Sequence, residues 1–373
     1  MNEAYIVGAV RTPVGLPGGG LAGAHPVDLA AHTIRALLDR TGADPGAVDE
    51  VVLGQVDAIG PGAANPARAC WLAAGLPEAV PGTTVGRGAG SSQHAVHLAA
   101  LAVRAGSADL VVAAGVHRAG GPGPAGGTAA PEGSRGWRAR FGGREVTPLR
   151  GAETMAARWD LTREVMEEFA SQSRRRALAA VEEGRFEREI APYAGLLVDE
   201  GPGRAVTPGA MAALEPPAGG RLTAALCSPL ADGAAALLVA SQEAVRAHGL
   251  TPRARIRHTS SRGADPASML SAPIPATAHA LRRAGMKITD FDVVEADEPY
   301  ASVVPAWLRE TGADPARVNP NGGALALGHP SGAAGARLMT TLLHELERTG
   351  GRYGLQTMAE EGGQAGVIVV ERV

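Results

Sequence analysis

The hydrophobic positions of this chain form short continuous runs that alternate with segments of helical spacing. Residues 4–10, 50–56 and 108–114 are largely apolar and end at turn-forming or polar stretches. Runs of this length predict buried strands. The same reasoning predicts a further strand at 83–85 and helices at 26–40, 66–74 and 90–104. Because such strands alternate with helices, the pattern predicts an α/β protein with a mostly parallel sheet covered on both faces.

The middle of the chain has a different pattern. Residues 119–150 are rich in Gly, Pro and Arg and have no apolar period, which indicates a long covering or binding loop. An amphipathic helix is predicted at 162–184, with Thr162 as its N-cap and Gly184 as its C-cap. Residues 198–221 again have the composition of a loop.

The C-terminal part of the chain repeats the order of the N-terminal part. The matching segments are 50–53 with 292–295, and 109–113 with 353–357. They are separated by 242 and 244 residues, and between them each part has a predicted strand that leads into a helix of small residues. These strand-to-helix junctions are 84–85 into 90–92, and 324–327 into 328–330. The nearly constant separation indicates an internal duplication, with chance similarity between ordinary βαβ units as the alternative.

Composition and charge narrow the class of protein. The chain has 373 residues, 45% of them hydrophobic, and a net charge of −3, which excludes a disordered chain and predicts no nucleic-acid partner. Two cysteines, Cys70 and Cys227, are too few for a disulfide framework or a four-ligand zinc site. We therefore predict a reduced, cytoplasmic setting and no metal. Neither a signal peptide nor a membrane-spanning segment is indicated.

Three motifs resemble those of thiolases. They are the Gly-His-Pro segment at 319–333, the approach 80–85 into Gly90-Ser91-Ser92-Gln93, and the stretch 230–238. The resemblance extends in order from Val7 to Arg372. The sequence is most similar to the thiolase branch that acts on steroid side-chain acyl-CoA esters. It implies a thiolase fold of two duplicated βαβαβαββ halves in a five-layered αβαβα body. The implied domains are an N-terminal half at 1–118, a loop domain with return to that half at 119–245, and a C-terminal half at 246–373.

The resemblance also implies which positions carry the chemistry. Thiolases use a nucleophilic cysteine at a helix N-terminus, and the corresponding residue here is Ala89. A second cysteine moves a proton, and its position is Ala359. The family's asparagine that supports the oxyanion hole is Asp297, and the first glycine of a Gly-rich run is Glu361. Of the four catalytic positions only His329 keeps the family residue, with a structural role as its alternative.

Coenzyme A is the ligand that the resemblance implies. In thiolases its pantetheine arm lies in a narrow tunnel, whose walls here fall at 119–241 and 257–276, where loop arginines would meet the phosphates. CoA or acyl-CoA is expected as a ligand, with no tightly bound cofactor. The residues assigned to CoA are Arg221, Ser260, Ala272 and Pro273.

The two alanines leave several functions open. One is altered CoA-thioester chemistry in lipid, steroid or secondary metabolism, with Asp297, Glu298, Glu360, Glu361 and Tyr300 as acid–base candidates beside His329. A second is a non-catalytic binding or scaffolding subunit that partners an active enzyme. A third is an inactivated variant of an acetyl-CoA acetyltransferase. Ser91 and Ser92 are candidates for a substitute nucleophile, and Cys70 and Cys227 are interpreted as small buried apolar residues. The expected assembly is a homodimer or homotetramer, with a separate acyl-CoA-binding subunit as a further partner.

Overall fold

Nine strands and twelve α-helices are defined in the computed structural model of the protein, which describes residues 2–56, 65–119, 134–142, 144, 146–204, 206–217 and 219–373. The strands are β1 Ala4–Arg11, β2 Glu50–Gly54, β3 Gly82–Val85, β4 Leu110–His117, β5 Gly233–Ser241, β6 Ala254–Gly263, β7 Val293–Ala296, β8 Tyr353–Glu360 and β9 Gln364–Arg372. The helices are α1 Pro26–Thr41, α2 Pro66–Ala73, α3 Ser91–Ala105, α4 Arg135–Phe141, α5 Pro148–Arg158, α6 Arg163–Glu182, α7 Pro208–Ala212, α8 Gln242–Ala247, α9 Pro273–Ala284, α10 Val303–Thr311, α11 Ala324–Leu327 and α12 Ala334–Thr349. Short 3-10 helices lie at Pro45–Ala47, Ala224–Leu226, Pro266–Ser271, Ile288–Asp290, Pro315–Arg317 and Ser331–Ala333. None of the helices in these ranges has the length and apolar character that a membrane span requires.

The strands form a mixed sheet in the order β3-β2-β4-β5-β1-β6-β9-β8-β7. Strands β2, β3 and β4 are parallel, as are β7 and β8, whereas the remaining neighbours are antiparallel. The prediction of a mostly parallel sheet is therefore wrong. Strands buried on both faces have continuous apolar runs whatever their direction, so the apolar pattern could not reveal which neighbours are antiparallel. The three-residue turn between β8 and β9 can join only antiparallel neighbours.

The two halves are related as the repeat predicts, with one difference. Helices α3 and α12 occupy corresponding places, because each lies in the chain between two strands that pair in parallel, β2 and β4 for α3 and β7 and β8 for α12. The predicted strand at 324–327 is wrong, because these residues form the one-turn helix α11. The place of β3 in the second half is taken instead by Val318, which makes a parallel bridge to Val294. An apolar run of four residues fits one helical turn as well as a short strand, so periodicity alone could not distinguish them.

Five layers result from the packing of these elements. Helices α1 and α2 cover the outer face of the first half, and α9 and α10 cover the outer face of the second. Helices α3 and α12 lie between the halves, in a core that contains residues of both. At their closest approach a Cβ on Gly335 would overlap the backbone nitrogen of Gln93, so only glycine fits there. The layered fold that the resemblance implies is confirmed.

The middle of the chain packs against the second half. Helices α5 and α6 contribute to an apolar cluster with the 3-10 helix Pro266–Ser271 and with residues that follow β7. Thr162 caps α6 as predicted, and Gly184, with φ of 67°, lies just beyond the cap residue Glu183. The predicted loop at 198–221 contains α7, and the one at 119–150 contains α4 and the start of α5. Part of that second loop, 120–133 with 143 and 145, lies outside the described residues. The domain boundaries at 118 and 245 remain predictions.

Candidate active site

Three segments meet at the first turn of α3. A Cβ on Gly90, the N-cap residue of α3, would overlap the side chain of Glu360 at the end of β8. The hydroxyl of Ser92 accepts a hydrogen bond of 3.0 Å from the Ala336 amide, at the start of α12. The amide of Asp297 donates to the carbonyl of Thr357 at 3.0 Å. The segments that carry the five predicted catalytic positions therefore converge between the two halves.

Ala89 lies in a tight turn immediately before α3. Gly88 has a φ of 57°, and the hydroxyl of Ser91 closes the turn by accepting from the Arg87 amide at 2.8 Å and donating to the Gly88 carbonyl at 2.6 Å. Ala89 is partly buried at the positive end of this 15-residue helix. Such a position would stabilise a thiolate, but a methyl group supplies no nucleophile.

Ala359 is buried on β8, with 4% of its surface exposed. It pairs with Ala365 on β9 and belongs to the apolar cluster formed with α5 and α6. Its methyl group fills space in this cluster and offers no proton-transfer group. The assignment of positions 89 and 359 to the family's cysteines remains a prediction.

His329 is bonded at both ring nitrogens. Its Nε2 lies 3.0 Å from Asp297 Oδ2, and its Nδ1 lies 3.0 Å from the hydroxyl oxygen of Ser331. Backbone bonds with Pro229 and Ala231 hold the residue in place. His329 and Asp297 are both buried, and Asp297 Oδ1 has no hydrogen-bond partner among the described residues. An ionised carboxylate only accepts hydrogen bonds, so the proton on Nε2 points to Asp297 and Nδ1 accepts from Ser331.

An ion pair between a partly exposed arginine and a buried glutamate, which the sequence analysis missed, lies beside the start of α3. Arg87 Nη2 is 2.7 Å from Glu360 Oε2, and Arg87 Nη1 is 2.9 Å from His94 Nδ1. Burial raises the pKa of Glu360 to about 7, with Arg87 acting in the opposite direction. Burial, and then Arg87, lowers the pKa of His94 to about 4. Glu360 was considered only as one of several acids, because nothing local to it indicates a partner from the other end of the chain.

Glu361, the acid that the sequence analysis singled out, is exposed in the turn between β8 and β9. Its side chain lies over Gly88, where a Cβ would come within 2.5 Å of Glu361 Cγ. It therefore contacts the turn that carries Ala89 while remaining open to solvent. A catalytic role for Glu361 remains a prediction.

The cysteines and the other acid–base candidates lie in different surroundings. Burial raises the pKa of Cys70 to about 12 and that of Cys227 to about 11, so both are protonated at neutral pH. Glu298 is buried and accepts hydrogen bonds from Ser173 and Asn319 at 2.7 Å, which gives it a structural role. Burial raises the pKa of Tyr300, which is partly buried next to Cys227.

The residues assigned to CoA are not grouped around one open surface. Arg221 directs its guanidinium to the carbonyls of Ala156 and Leu161, at 3.2 and 3.4 Å. Ala272 and Pro273 are buried at the start of α9, and Ser260 is partly buried on β6. CoA contacts by these four residues remain predictions.

A cleft of about 400 Å³ lies near the turn that carries Glu361. Its wall includes the 3-10 helix that begins at Pro266, and a Cβ on Gly363 would lie 2.8 Å from Pro266 Cα. The lining residues are Arg144, Arg150, Thr154, Asp265, Ala267 and Ser268. Two arginines at its rim suit a phosphorylated ligand. Over the described ranges, no group of three or more His, Cys, Asp or Glu side chains is arranged to hold a metal ion.

Comparisons with known proteins agree with this geometry. The family model described as "Thiolase, N-terminal domain" matches residues 4–120 and 150–243, and "Thiolase, C-terminal domain" matches 250–372. The chain is 54% identical to the steroid 3-ketoacyl-CoA thiolase FadA6 of Mycobacterium tuberculosis, over 100% of this chain and 95% of that protein. It is 41% identical to an acetyl-CoA acetyltransferase of Pseudomonas aeruginosa, over the full length of both. The crystal structure of the Bacillus anthracis acetyl-CoA acetyltransferase superposes with a TM-score of 0.92 at 32% identity, covering 100% of this chain and 99% of that one. This chain therefore belongs to the thiolase family.

Proposed function

We propose that this protein binds CoA thioesters where α3, α12 and the β8–β9 turn meet, and acts on them without a cysteine-bound acyl group. The observation that carries the proposal is the set of side chains at this junction. Ala89 and Ala359 present methyl groups, whereas Asp297 and His329 form a hydrogen-bonded pair of 3.0 Å at the same junction. The junction therefore has side chains that can transfer protons and no thiol at the two predicted cysteine positions.

The relatives support a CoA thioester as the substrate class. One relative is named for steroid 3-ketoacyl-CoA, and another for acetyl-CoA. At 54% identity over the full chain, the steroid thiolase is the better guide to the acyl group. We therefore propose a lipid-derived or steroid-derived acyl-CoA.

A panel of acyl-CoA esters tests the proposal. Calorimetry measures binding of CoA, acetyl-CoA and longer 3-ketoacyl-CoA esters, and a thiol reagent with mass spectrometry follows turnover. Binding with turnover but without cysteine acylation supports the proposal. Binding with no turnover of any ester would favour the alternative of a non-catalytic subunit, and no binding would refute both.

The cleft beside the β8–β9 turn gives a sharper test of where CoA binds. Replacing Arg144 and Arg150 by Ala removes two cations from the rim of the cleft and should weaken CoA binding about tenfold, or about 1.4 kcal/mol. Arg175→Ala is the matched control, because Arg175 is exposed and its ion pair among the described residues is with Glu168 on the same helix, α6. Equal losses in both proteins would place the phosphates elsewhere.

The state of assembly is part of the same proposal. We propose a homodimer or homotetramer in the cytoplasm. Light scattering on the purified protein distinguishes these states from a monomer, and co-purification would reveal a separate acyl-CoA-binding subunit.

A further inference from the structure

Ser331, His329 and Asp297 are linked in one chain of hydrogen bonds. The Ser331 hydroxyl oxygen lies 3.0 Å from His329 Nδ1, and His329 Nε2 lies 3.0 Å from Asp297 Oδ2. The order of nucleophile, base and orienting acid is the one found on unrelated folds, with the two ring nitrogens exchanged, since there the serine bonds Nε2 and the acid bonds Nδ1. We propose that these three residues transfer the acyl group of a CoA thioester to water through an ester on Ser331, which rests on the proposed binding of acyl-CoA.

The polarity of the chain follows from the chemistry of its members. Asp297 is buried and accepts a hydrogen bond from the N–H group at Nε2. The lone pair of Nδ1 is therefore directed to the Ser331 hydroxyl. The backbone bonds of His329 to Pro229 and Ala231 hold its main chain in place, and the bonds at both ring nitrogens orient the ring. A base that is held in this way can take the hydroxyl proton without reorienting.

Ser331 is also the serine whose surroundings allow reaction. It is partly exposed, whereas Ser91 and Ser92 are fully buried. Ser91 closes the turn at Gly88, and Ser92 accepts from the amide of Ala336. The two serines that the sequence analysis considered as substitute nucleophiles are therefore engaged in structural bonds.

The position of Ser331 in the fold favours negative charge on an attacked carbonyl. Ser331 is the first residue of the 3-10 turn that runs directly into the 16-residue helix α12. The positive end of that helix is therefore adjacent to the hydroxyl. An oxyanion that forms on a thioester attacked there would be stabilised by this field.

The reaction consists of two balanced steps. The Ser331 oxygen attacks the thioester carbon while its proton passes to His329 Nδ1. The carbon–sulfur bond then breaks, and the CoA sulfur leaves with that proton. The acyl group remains on Ser331 as an ester. Water attacks the ester with His329 again as the base, and the products are the free carboxylic acid, CoA and regenerated Ser331. Asp297 accepts the hydrogen bond from Nε2 throughout.

Labelling of the serine tests the proposal independently of CoA binding. A fluorophosphonate probe should form one adduct that peptide mapping places on Ser331. The adduct should be absent from Ser331→Ala and unchanged in Ser107→Ala, because Ser107 is exposed at the far end of α3. A probe adduct elsewhere, or none on folded protein, would overturn the proposal.

Hydrolysis of acyl-CoA provides the second measurement. Release of CoA in the absence of any acyl acceptor should fall at least about 100-fold in Ser331→Ala and by about 100-fold or more in Asp297→Asn. Circular dichroism and a thermal midpoint establish that the variants fold, and Ser331→Cys should regain an acyl adduct by mass. Calorimetric binding of acyl-CoA with no labelling of Ser331 refutes this inference and leaves the proposed function standing. Labelling of Ser331 without CoA binding would refute the proposed function and, with it, the acyl-CoA substrate of this inference, while leaving Ser331 as a reactive nucleophile.

Discussion

Replacing Glu360 by Gln should change how the stability of the protein depends on pH. Glu360 is 3% exposed, and burial raises its pKa from 4.5 to about 7 despite the ion pair of 2.7 Å with Arg87. The folded protein therefore holds the proton more tightly than the unfolded chain does. Stability that depends on the protonated carboxyl is fully present below pH 4.5 and is lost as the pH rises to 7.

The size of the effect follows from the shift. At about 1.4 kcal/mol per pKa unit, the wild-type protein should lose about 3 kcal/mol of unfolding free energy from this group between pH 4.5 and 8. Gln has nearly the same shape and no charge to desolvate, so Glu360→Gln should lack this loss. His94 acts in the opposite direction, because burial and Arg87 lower its pKa from 6.5 to about 4 and its contribution to stability therefore increases as the pH rises between these values. Since this contribution is present in both proteins, the comparison of wild type with Glu360→Gln isolates the effect of Glu360.

Urea unfolding at pH 5 and pH 8, followed by tryptophan fluorescence, measures the difference between the two proteins. Glu361→Gln is the matched control, since it removes the same charge from the exposed neighbouring residue and should keep the wild-type dependence. A difference infrared spectrum should show a protonated carboxyl at pH 5 that is missing from Glu360→Gln. The same pH dependence in wild type and Glu360→Gln would show that Arg87 outweighs burial, and the reasoning would be refuted.

Other perturbations address the reactive positions. We expect no thiolysis of acetoacetyl-CoA above background, and sustained release of acetyl-CoA would contradict the assignment of position 89. Ala89→Cys should acylate only slowly, because Asp297 engages the Nε2 of His329 and Ala359 supplies no second base. Adding Asp297→Asn, and then Ala359→Cys, should raise the rate of acylation measured by intact mass. Glu361→Gly should tighten acyl-CoA binding more than CoA binding in calorimetry, and equal affinities would show that its carboxylate does not reach the thioester. Gly88→Ala should lower the thermal midpoint, because its φ of 57° and the Glu361 side chain both oppose a Cβ.

Local signals in the sequence predicted much of the fold. The apolar run that forms β1, the helix α1 and the cap at Thr162 depend on neighbouring residues, and each lies within a residue or two of its predicted bounds. Strand direction and the one-turn helix at Ala324–Leu327 depend on packing partners that are distant in the chain. Those partners leave no local trace, so the pattern could not identify them.

The candidate site shows the same division. The predicted catalytic positions came from motifs in the sequence, and the structure brings their segments together. The bond from Ser331 to His329 connects residues two apart, but the sequence did not indicate which ring nitrogen faces which partner. The ion pair of Arg87 with Glu360 joins opposite ends of the chain, so only the folded protein shows that Glu360 is the buried acid and Glu361 the exposed one.

The close packing of α3 against α12 has an evolutionary consequence. The close approach at Gly335 and the bond from the Ala336 amide to the Ser92 hydroxyl fix the starts of both helices relative to each other. Neither contact involves the side chains at 89, 329 or 359. A lineage can therefore exchange its reactive groups while the frame that positions them is inherited intact. The residues that hold α3 against α12 are therefore different from those at the predicted reactive positions. A few substitutions at the reactive positions can change the activity without changing the contact between the two helices.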